Sequence, residues 1–463
     1  MKVALFCILF SFVALSIGSA MNESPTYDEV FYKEEGRRIW NTREFRDPYN
    51  PPLVPLITAV GVGGRGVSVV LGVILIIAVY RVGGVVAAAL LAFEPTFLAH
   101  SHYVTNDIAV TLFIFLAATL RRPLLLGLSI GYALSSKMSS LVFLPLVLRP
   151  MRWRQLLGRA IVALFVVWAS YLFTWDVVIR EREDAGRLSV RLIQYARDHN
   201  VPAIERAVLF LQRQPLPLGT YAATIKNNIL RFGKPAMVFF DGELYDGSRW
   251  YFMVINVLRK LPLPFLILVL FGVWHARRFA AIAAAIIGIA SVVGMVPLVR
   301  YVLPAIPFLA IVGAAGIREI GEIRGIGGKI IICVLLFWFI IGTLAQYPHF
   351  ISYANELVGP QERRYEVLAD SNLDWGQALP DVMRWAKQEG IGTMQFSYFG
   401  RDEASEYRFE DICAIGEMVL DPKSTKVVTL ISVSNWYYCG YNKEEAYRKA
   451  KIWNVIADSV LVF

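Results

Sequence analysis

Residues 66–107, "GVSVVLGVILIIAVYRVGGVVAAALLAFEPTFLAHSHYVTND", decide the fold of this chain. Two long apolar runs, 66–80 and 83–99, stand on either side of the basic residue Arg81. A helix crosses the hydrocarbon core of a bilayer with about 20 mostly apolar residues, so each run approaches the length of a span. The second run ends in ionisable side chains. This stretch therefore predicts transmembrane helices with polar chemistry at one membrane surface.

The rest of the chain continues the same pattern. Its 463 residues are 56% hydrophobic and only 18% charged, which leaves too little polar surface for a soluble protein of this length. Apolar runs recur along the first three quarters and predict a polytopic α-helical membrane protein with about eleven transmembrane helices. The runs lie near 3–19, 66–80, 83–99, 108–120, 124–136, 140–148, 160–178, 252–273, 279–299, 301–316 and 330–347.

Two of these assignments have alternatives. The first run could instead be a cleaved signal peptide, because "SIGSA" ends in small residues. A retained helix is favoured, since a single basic residue precedes the run and an acidic pair follows it. The short runs 124–136 and 140–148 could together form one re-entrant pair.

Charge predicts the orientation of the chain in the cell membrane. The net charge is +9, and the basic residues lie mainly in short gaps between apolar runs, as expected for cytoplasmic loops. The extracytoplasmic face then receives residues 20–65, 100–107, 179–251 and 348–463. The sequence has no basic tail and no aromatic–basic RNA motif, so a nucleic-acid partner is not expected. The basic gaps contain Arg81, Arg121, Arg122, Arg149, Arg152, Arg154, Arg159, Arg277, Arg278, Arg318, Arg324 and Lys329.

The tail has a different character and predicts a second domain. Helix-like segments "GQALPDVMRWAKQEG" and "NKEEAYRKAKIW" alternate with strand-like segments "TMQFSYFG" and "KVVTLISVS". We expect a transmembrane domain over 1–347 and a small extracytoplasmic α/β domain over 348–463. Cys413 and Cys439 both lie in this tail, where a disulfide and two unrelated thiols remain equally open.

Ionisable residues gather where the spans meet the external face. Charge near a membrane is costly and usually faces a cavity. The positive residues have the wrong sign for simple topology and suit a lipid-linked phosphate. The carboxylates suit a general base, or with the imidazoles a divalent cation such as Mg, Mn or Zn, and a mechanism without metal stays open. The cluster comprises Asp28, Glu29, Glu94, His100, His102, Asp107, Lys137 and Arg300.

Each member of the cluster also has a structural alternative. Asp28 and Glu29 could begin a solvated helix, because acids favour the first turn. His100 and His102 are two residues apart, so they would not share a helix face and could be hydrogen-bonding loop residues. Glu94 could bond to backbone freed by the following proline, and Lys137 could extend its amine to the interface.

Several ordered stretches together resemble a known family. They are "TYDEVFY", "YNPPLVPL", "FEPTFLAHSHYVTNDIAVTLF", "GLSIGYALSSKMSSL", "FDGELYDGSRWYFMVINVLRKLPLP" and "RYVLPAIPFLAIVGAAGI". This set resembles the family 39 glycosyltransferases of the GT-C superfamily, which includes protein O-mannosyltransferases and aminoarabinose transferases. "YPHFISYANELVGP" and "LADSNLDWGQAL" look like archaeal and bacterial members with a short soluble tail.

The resemblance implies a GT-C fold and an inverting glycosyltransferase. A polyprenyl- or dolichyl-phosphate sugar would be the donor, with mannosyl transfer in protein glycosylation as one family activity. The acceptor would be a protein, lipid or glycan on the extracytoplasmic face. The eukaryotic MIR domain has no counterpart here, which makes a protein acceptor less assured. The alternative is a transporter or flippase of lipid-linked sugars, which predicts broken helices and repeat-like halves.

The resemblance also assigns roles to single residues. Asp28 would be the base and Glu29 would assist it. Asp107 would be the second acidic position, beside His100 and His102 as possible metal ligands. The donor phosphate would contact Lys137, Arg300 and Tyr301. Asn50, where relatives carry Lys or His, would contact acceptor or donor. The resemblance gives Asp374 no catalytic role, so Asp374 is expected to be structural. Apart from the resemblance, Glu243 in the long external loop could approach the site and contact acceptor or donor, and an aromatic-anchored lid is an equal alternative.

Overall fold

The computed structural model of the protein describes residues 2–59, 63–179, 186–232, 236–391, 393–401, 413 and 427–463. Most of these residues are helical, as the apolar runs predict. The helices are α1 (Lys2–Asn22), α2 (Tyr27–Thr42), α3 (Leu53–Ala59), α4 (Gly64–Ala92), α5 (Pro95–His100), α6 (Asn106–Thr119), α7 (Pro123–Ser136), α8 (Ser140–Val147), α9 (Trp153–Ser170), α10 (Gly186–Asp198), α11 (Pro202–Arg213), α12 (Gly219–Phe232), α13 (Trp250–Lys260), α14 (Leu263–Gly272), α15 (Arg277–Val292), α16 (Ile306–Leu344), α17 (Leu379–Gln388), α18 (Val433–Tyr438) and α19 (Glu445–Lys449).

The strands are short, and they lie between α9 and α13 and in the tail. They are β1 (Trp175–Asp176), β2 (Leu216–Pro217), β3 (Met237–Phe240), β4 (Glu243–Asp246), β5 (Thr393–Ser397), β6 (Val427–Ser432), β7 (Asn454–Ile456) and β8 (Val460–Val462). Short 3₁₀ segments connect several elements, and two of them, Val299–Ala305 and Asp370–Asn372, carry residues of the candidate site.

Four described helices are long and apolar enough to cross a bilayer, and α13 with α14, bent by 109°, would make a fifth. The predicted count of eleven spans is therefore not confirmed. Helices α6 and α7 show the reason, since each has 14 residues. At 1.5 Å per residue such a helix is about 21 Å long, shorter than a hydrocarbon core of about 30 Å. The four helices are Lys2–Asn22, Gly64–Ala92, Val299–Glu322 and Gly325–Leu344.

The two longest helices are interrupted by glycine. Gly84 inside α4 has φ 83° and Gly325 inside α16 has φ 52°, and neither backbone is helical there. Positive φ carries no steric penalty in glycine, so the chain turns at these points without strain. Each break falls close to a boundary that the sequence predicts between two spans.

The chain divides into two compact units. The first comprises Met1–Tyr32, Val62–Phe115 and Ala236–Phe463, and the second comprises Lys33–Gly61 and Leu116–Pro235. The domain boundary expected after residue 347 stays a prediction. In the first unit α4 packs against α1 and α16, and α14 packs along α16. In the second unit α7 packs along α9.

Two glycines allow α14 and α16 of the first unit to approach closely. A Cβ on Gly272 of α14 would lie 1.8 Å from the Val312 carbonyl oxygen, and a Cβ on Gly316 of α16 would lie 1.9 Å from the Leu268 carbonyl oxygen. Only glycine fits at both positions. Close backbone approach of this kind drives helix association where lipid removes the hydrophobic advantage.

The tail forms a four-stranded sheet in the order β5–β6–β8–β7. Strands β5 and β6 are parallel, with Thr393 opposite Val427, whereas β8 is antiparallel to both β6 and β7. Helix α17 and strands β5 and β6 confirm the predicted segments. The predicted helix "NKEEAYRKAKIW" is shorter than expected, since α19 covers only Glu445–Lys449. Strands β7 and β8 have three residues each, too few to show an alternating pattern in the sequence.

Candidate active site

An ion pair between Asp28 and Arg300 lies at the centre of the candidate site. The Arg300 guanidinium donates to Asp28 Oδ2 at 2.7 Å. Asp28 is in the first turn of α2, and Arg300 is in the 3₁₀ segment that leads into α16. The Asp28 side chain is 29% exposed and the Arg300 side chain is 13% exposed, so this pair is partly open to solvent. Two residues that are 272 positions apart in the sequence therefore meet as base candidate and phosphate-binding candidate.

Aromatic and acidic groups surround Arg300. Its guanidinium lies 4.3 Å from the centroid of the Trp375 ring and 5.3 Å from that of Tyr301. The negative charges of Asp107 and Asp370 also act on it, in addition to that of Asp28. A guanidinium over an aromatic face keeps its edge available for bidentate contacts with an oxyanion.

Buried amide groups hold the backbone that carries Arg300. The Asn372 side chain accepts from Val299 N–H and donates to the Pro297 carbonyl, both at 3.0 Å. Asn256 donates to the same Pro297 carbonyl at 2.7 Å. These three hydrogen bonds, called the Asn372 bracket below, connect the residues just before Arg300 to the tail. Because the bracketing side chains are buried, the guanidinium is held in place before any ligand arrives.

A buried lysine fixes the other side of that bracket. Lys260, at the end of α13, donates its ammonium hydrogens to the carbonyls of Ile351, Tyr353 and Asn372 at 2.6, 2.5 and 2.7 Å. Three carbonyl acceptors satisfy all three donors of the ammonium group. Lys260 therefore connects the bent helix pair to the tail segment that contains Asn372 and Trp375.

Glu29 has a structural environment, although the family resemblance assigns it a catalytic role beside Asp28. Its carboxylate is fully buried and accepts from Arg65 Nε at 2.9 Å. It also accepts from the Thr26 backbone N–H at 3.3 Å, the reach-back of a capping box in "TYDE". Arg65 in turn donates to the carbonyls of Ala20, Glu23 and Ser24. These contacts indicate that Glu29 positions α2, and its role in catalysis stays a prediction.

His102 belongs to a buried network around Glu23. The Glu23 carboxylate contacts His102 Nε2 at 2.7 Å, accepts from Tyr103 O–H at 2.6 Å and contacts His349 Nδ1 at 3.0 Å. His349 Nε2 contacts Asp381 of α17 at 3.2 Å. The network joins the end of α1, the loop after α5 and the tail. The sequence analysis did not identify Glu23, His349 or Asp381.

The charges of this network shift each other's pKa values. Burial by itself raises the pKa of Glu23, but hydrogen bonds from His102 and His349 outweigh it and lower the pKa to about 2. Burial by itself lowers the pKa of His349, but hydrogen bonds to Asp381 and Glu23 raise it to about 10. Glu23 and His349 therefore form a charged pair across the neutral range.

Asp374 and Asp370, two aspartates of the tail, lie in different environments. Asp374 is buried and accepts from the backbone N–H groups of Ser434 at 2.8 Å and Gly376 at 3.2 Å, which fits the structural role expected for it. Burial raises its pKa to about 6. Asp370 has φ 53°, a strained value for a residue other than glycine. Burial raises the pKa of Asp370, against the opposing charge of Arg300.

The expected metal ligands do not come together. Among the residues that the structure describes, no three His, Cys, Asp or Glu side chains are placed to hold an ion. His102 is bound to Glu23, and buried His100 lies edge-on to the Trp375 ring at 5.8 Å. Asp107 is buried in the first turn of α6. The described residues therefore do not fit the Mg, Mn or Zn site considered for this group.

Glu94, by contrast, has the backbone-capping role that the sequence allows. Its carboxylate accepts from the N–H groups of Thr96 at 3.1 Å and Phe97 at 2.7 Å, which caps α5 after Pro95. Glu243 lies exposed on the β3–β4 hairpin and accepts from the Tyr245 hydroxyl at 3.2 Å. The hairpin is anchored by Phe240, whose ring stacks on Phe252 at 3.9 Å.

Two predicted site residues belong to the second unit. Lys137 follows α7 as its C-cap residue, and its backbone N–H donates to the Ala133 carbonyl. Asn50 is held by Asp47, which accepts from the Asn50 backbone at 3.0 Å and from its side-chain amide at 3.0 Å. The roles of Lys137 and Asn50 toward donor or acceptor stay predictions.

The cysteine question is decided by the structure. Cys413 and Cys439 form a disulfide with an S–S distance of 2.02 Å. Cys439 follows α18, which places the bridge on the tail sheet's connecting segment.

The site residues that the sequence analysis missed carried only weak signals. Trp375 and Asp370 lie in "LADSNLDWGQAL", a polar stretch that gave no indication of a partner. Lys260 had a better signal, because a lysine inside a predicted span, here 252–273, usually has a specific partner inside the protein. The capping box at Thr26 and Glu29 was also readable.

The chain was compared with protein families, curated proteins and solved structures. Neither protein-family models nor curated proteins match the sequence. Among solved structures, the chain is similar to ArnT from Cupriavidus metallidurans bound to undecaprenyl phosphate, with 12% identity, a TM-score of 0.46 and coverage of 99% of this chain and 97% of that chain. The apo state of the same protein gives 12% identity, a TM-score of 0.42 and the same coverage.

An archaeal structure is also similar. It is the Archaeoglobus fulgidus oligosaccharyltransferase in complex with Zn and sulfate, with 16% identity, a TM-score of 0.43 and coverage of 78% of this chain and 54% of that chain. This chain thus spans about half the length of that protein.

Proposed function

We propose that this protein is a membrane glycosyltransferase. It transfers a sugar from a polyprenyl- or dolichyl-phosphate donor to a hydroxyl acceptor at the extracytoplasmic membrane surface. The observation that carries the proposal is the partly open Asp28–Arg300 pair, with Arg300 held over Trp375 beside an apolar helix. A carboxylate and a preorganised guanidinium at a membrane surface are the two groups that transfer from a lipid phosphate requires.

The chemistry follows from the two partners of the pair. The donor phosphate replaces Asp28 as the partner of Arg300, which releases the carboxylate. Asp28 then accepts the proton of the acceptor hydroxyl as the hydroxyl oxygen attacks the anomeric carbon of the sugar. The bond between that carbon and the phosphate oxygen breaks with inversion. The lipid phosphate leaves with the electron pair, and Arg300 stabilises its charge. Because the described residues do not fit a metal site, no step uses a metal.

The finer assignments are part of the same proposal. From the family resemblance, Lys137 and Tyr301 are further candidates for contact with the donor phosphate. The negative charges of Asp107 and Asp370 stabilise the positive charge of Arg300. The sugar is a hexose or pentose, with mannose as the first candidate from the family resemblance.

The test is sugar transfer from a panel of radiolabelled polyprenyl-phosphate sugars by purified protein in nanodiscs. Wild type is expected to transfer label to an acceptor in a membrane extract, and Arg300→Gln to bind the donor at least about tenfold more weakly, since a charged hydrogen-bond partner is lost. The matched control is Glu366→Gln, which breaks an exposed Arg363–Glu366 pair of the same 2.7 Å length.

A second outcome would change the class of the protein. If wild type binds the donor and moves it across a proteoliposome bilayer without transferring sugar, the flippase alternative replaces the transferase. The glycine breaks in α4 and α16 and the 109° bend between α13 and α14 give that alternative its structural basis.

A further inference from the structure

The second unit contains a cavity of about 340 Å³ that has no role in the chemistry above. Two chain segments build it, residues 43–46 just after α2 and residues 174–176 around β1, and Thr220 of α12 completes it. Residues 43–46 and Thr220 belong to the external regions that the sequence predicts, whereas residues 174–176 lie at the end of the predicted span 160–178.

One wall of the cavity is an exposed indole held in a fixed position. Trp175 keeps 60% of its exposure. Its backbone pairs with Pro217 of β2, and its ring meets the Trp168 ring at a centroid distance of 6.0 Å. Trp168 also donates to the Thr174 carbonyl at 3.0 Å. An aromatic ring that is already ordered offers a flat apolar face to a ligand at small entropic cost.

A carboxylate stands beside this indole. Asp176 Oδ2 accepts from the Thr220 hydroxyl at 3.2 Å, and Oδ1 accepts from the Val177 N–H at 2.8 Å. The strand and α12 approach closely here, since a Cβ on Gly219 would lie 1.8 Å from the Asp176 carbonyl oxygen. Asp176 is thus oriented by its neighbours while its side chain remains half-exposed.

The opposite wall presents charged side chains on a fixed backbone. Phe45 anchors the segment, because its ring lies 5.0 Å from Tyr171 and packs on the buried cluster around that residue. On either side of it, Glu44 and Arg46 are exposed and contact each other at 2.9 Å. Arg43 has φ 57°, a strained conformation of the kind that collects at binding sites.

The combination indicates the class of ligand. The two arginines, Arg43 and Arg46, are balanced by two carboxylates, Glu44 and Asp176, so a bare phosphate would meet as many negative as positive groups. A ring with an apolar face and several hydroxyls can stack on Trp175, donate to the carboxylates and accept from the guanidinium groups. We propose that this cavity binds a neutral sugar residue of a glycan, which, given the proposed function, is the carbohydrate part of the acceptor.

The test is binding of soluble neutral trisaccharides, namely maltotriose, mannotriose and chitotriose, to the full-length protein in nanodiscs by calorimetry. We expect one of them to bind wild type, and Trp175→Leu to weaken its affinity by about tenfold or more, as truncation of an aromatic anchor generally does. Trp175→Phe should retain part of the affinity, and Asp176→Asn should also bind more weakly. The matched control is Trp250→Leu, because Trp250 is similarly exposed, at 68%, but lies outside the cavity.

Two results would overturn the proposal. The first is that none of the three trisaccharides binds wild type. The second is that Trp250→Leu loses as much affinity as Trp175→Leu, which would make Trp175 an interfacial membrane anchor. Thermal unfolding of each variant checks the fold, and Trp175→Phe keeps the ring packing if the leucine variant unfolds.

Donor binding separates this proposal from the proposed function. Binding of the radiolabelled polyprenyl-phosphate sugar is measured in the same Trp175 variants and is expected to stay within about twofold of wild type, with the loss confined to the KM for acceptor. If wild type binds trisaccharide through Trp175 but never binds the lipid-linked donor, the sugar site stands and the transferase proposal fails.

Discussion

Asp28 and Glu29 are neighbours in the chain, and each contacts an arginine, yet the two pairs differ in what they can do. Glu29 is fully buried, and Arg65 binds it through Nε at 2.9 Å and through a terminal nitrogen at 3.0 Å. The remaining donors of Arg65 bind backbone carbonyls. Asp28 contacts Arg300 through a single described hydrogen bond, and the pair keeps some exposure.

The difference shows that two adjacent residues can have different roles, with Glu29 in a structural pair and Asp28 in a pair that a ligand can reach. A saturated, buried pair cannot exchange partners, because either charge left alone would pay a large desolvation penalty. A pair with one contact and access to solvent can exchange a carboxylate for a phosphate. Substitutions of Asp28 and Glu29 should therefore have different effects.

The largest expected effect is on activity. Asp28→Asn should reduce kcat of sugar transfer by about 10²- to 10⁴-fold, since the amide cannot take the acceptor's proton. Donor affinity should stay similar or rise, because Arg300 is no longer occupied by a carboxylate. Single-turnover transfer and donor binding are measured together. Full activity of Asp28→Asn would contradict the role of Asp28 as the base.

Glu29→Gln should act on stability instead. Breaking a buried charge pair and leaving Arg65 unpaired costs about 3–5 kcal/mol. The measurement is the thermal unfolding midpoint in nanodiscs, compared with that of Asp28→Asn, which should change far less. If Glu29→Gln unfolds at the wild-type temperature but loses transfer, then Glu29 has the catalytic role that the family resemblance assigns to it.

The pH dependence of stability should report the buried network. Glu23 has its pKa lowered from 4.5 to about 2, so its stabilisation is complete above pH 4.5 and is lost as pH falls through about 2. His349 has its pKa raised from 6.5 to about 10, so its stabilisation is complete below pH 6.5 and is lost as pH rises through about 10. The unfolding midpoint should therefore be highest between about pH 4.5 and 6.5.

His349→Asn sharpens that prediction. It should lower the maximum and remove the alkaline fall, because no imidazole remains to titrate. The matched control is His275→Asn, which removes a histidine from an exposed pair with Glu319 at 3.0 Å and should leave the profile unchanged. An alkaline fall that persists in His349→Asn would show that another group is responsible.

The smallest effect is expected at the surface. Glu366→Gln breaks a 2.7 Å pair with Arg363 that has the same length as Asp28–Arg300. Exposed pairs contribute about 0–1 kcal/mol, so both transfer and unfolding temperature should stay near wild type. A large effect of Glu366→Gln would mean that the contact distance of an ion pair, rather than its burial, decides how much the pair contributes to activity and stability.

Much of the fold was predictable because its signals are local. Hydropathy indicates the helical regions, and alternation indicates β5 and β6 in the tail. The span count was not confirmed, since apolar runs in the sequence do not report how far helices such as α6 and α7 extend. Strands β7 and β8 exist through pairing with each other and with β6, and three residues carry no pattern of their own.

The candidate site was only half predictable for a related reason. The sequence identifies Asp28 and Arg300 as unusual charges on the expected external face, but it treats them as separate parts. Their contact, the ring of Trp375 beneath Arg300 and the Asn372 bracket all depend on residues far apart in the chain. Glu29 is the contrasting case, since its position beside Asp28 suggested a shared role, and its buried contact with Arg65 could not be read from the sequence.

The sequence by itself determined that this is a helical membrane protein with its unusual charges grouped near expected span ends. Hydropathy and charge sign act residue by residue, so they can be read without a structure. Tertiary structure alone decided which charges are neutralised and buried and which remain exchangeable. The physical reason is that burial and hydrogen bonding, rather than residue type, set the cost of changing a charge's partner. That cost separates Asp28 from Glu29.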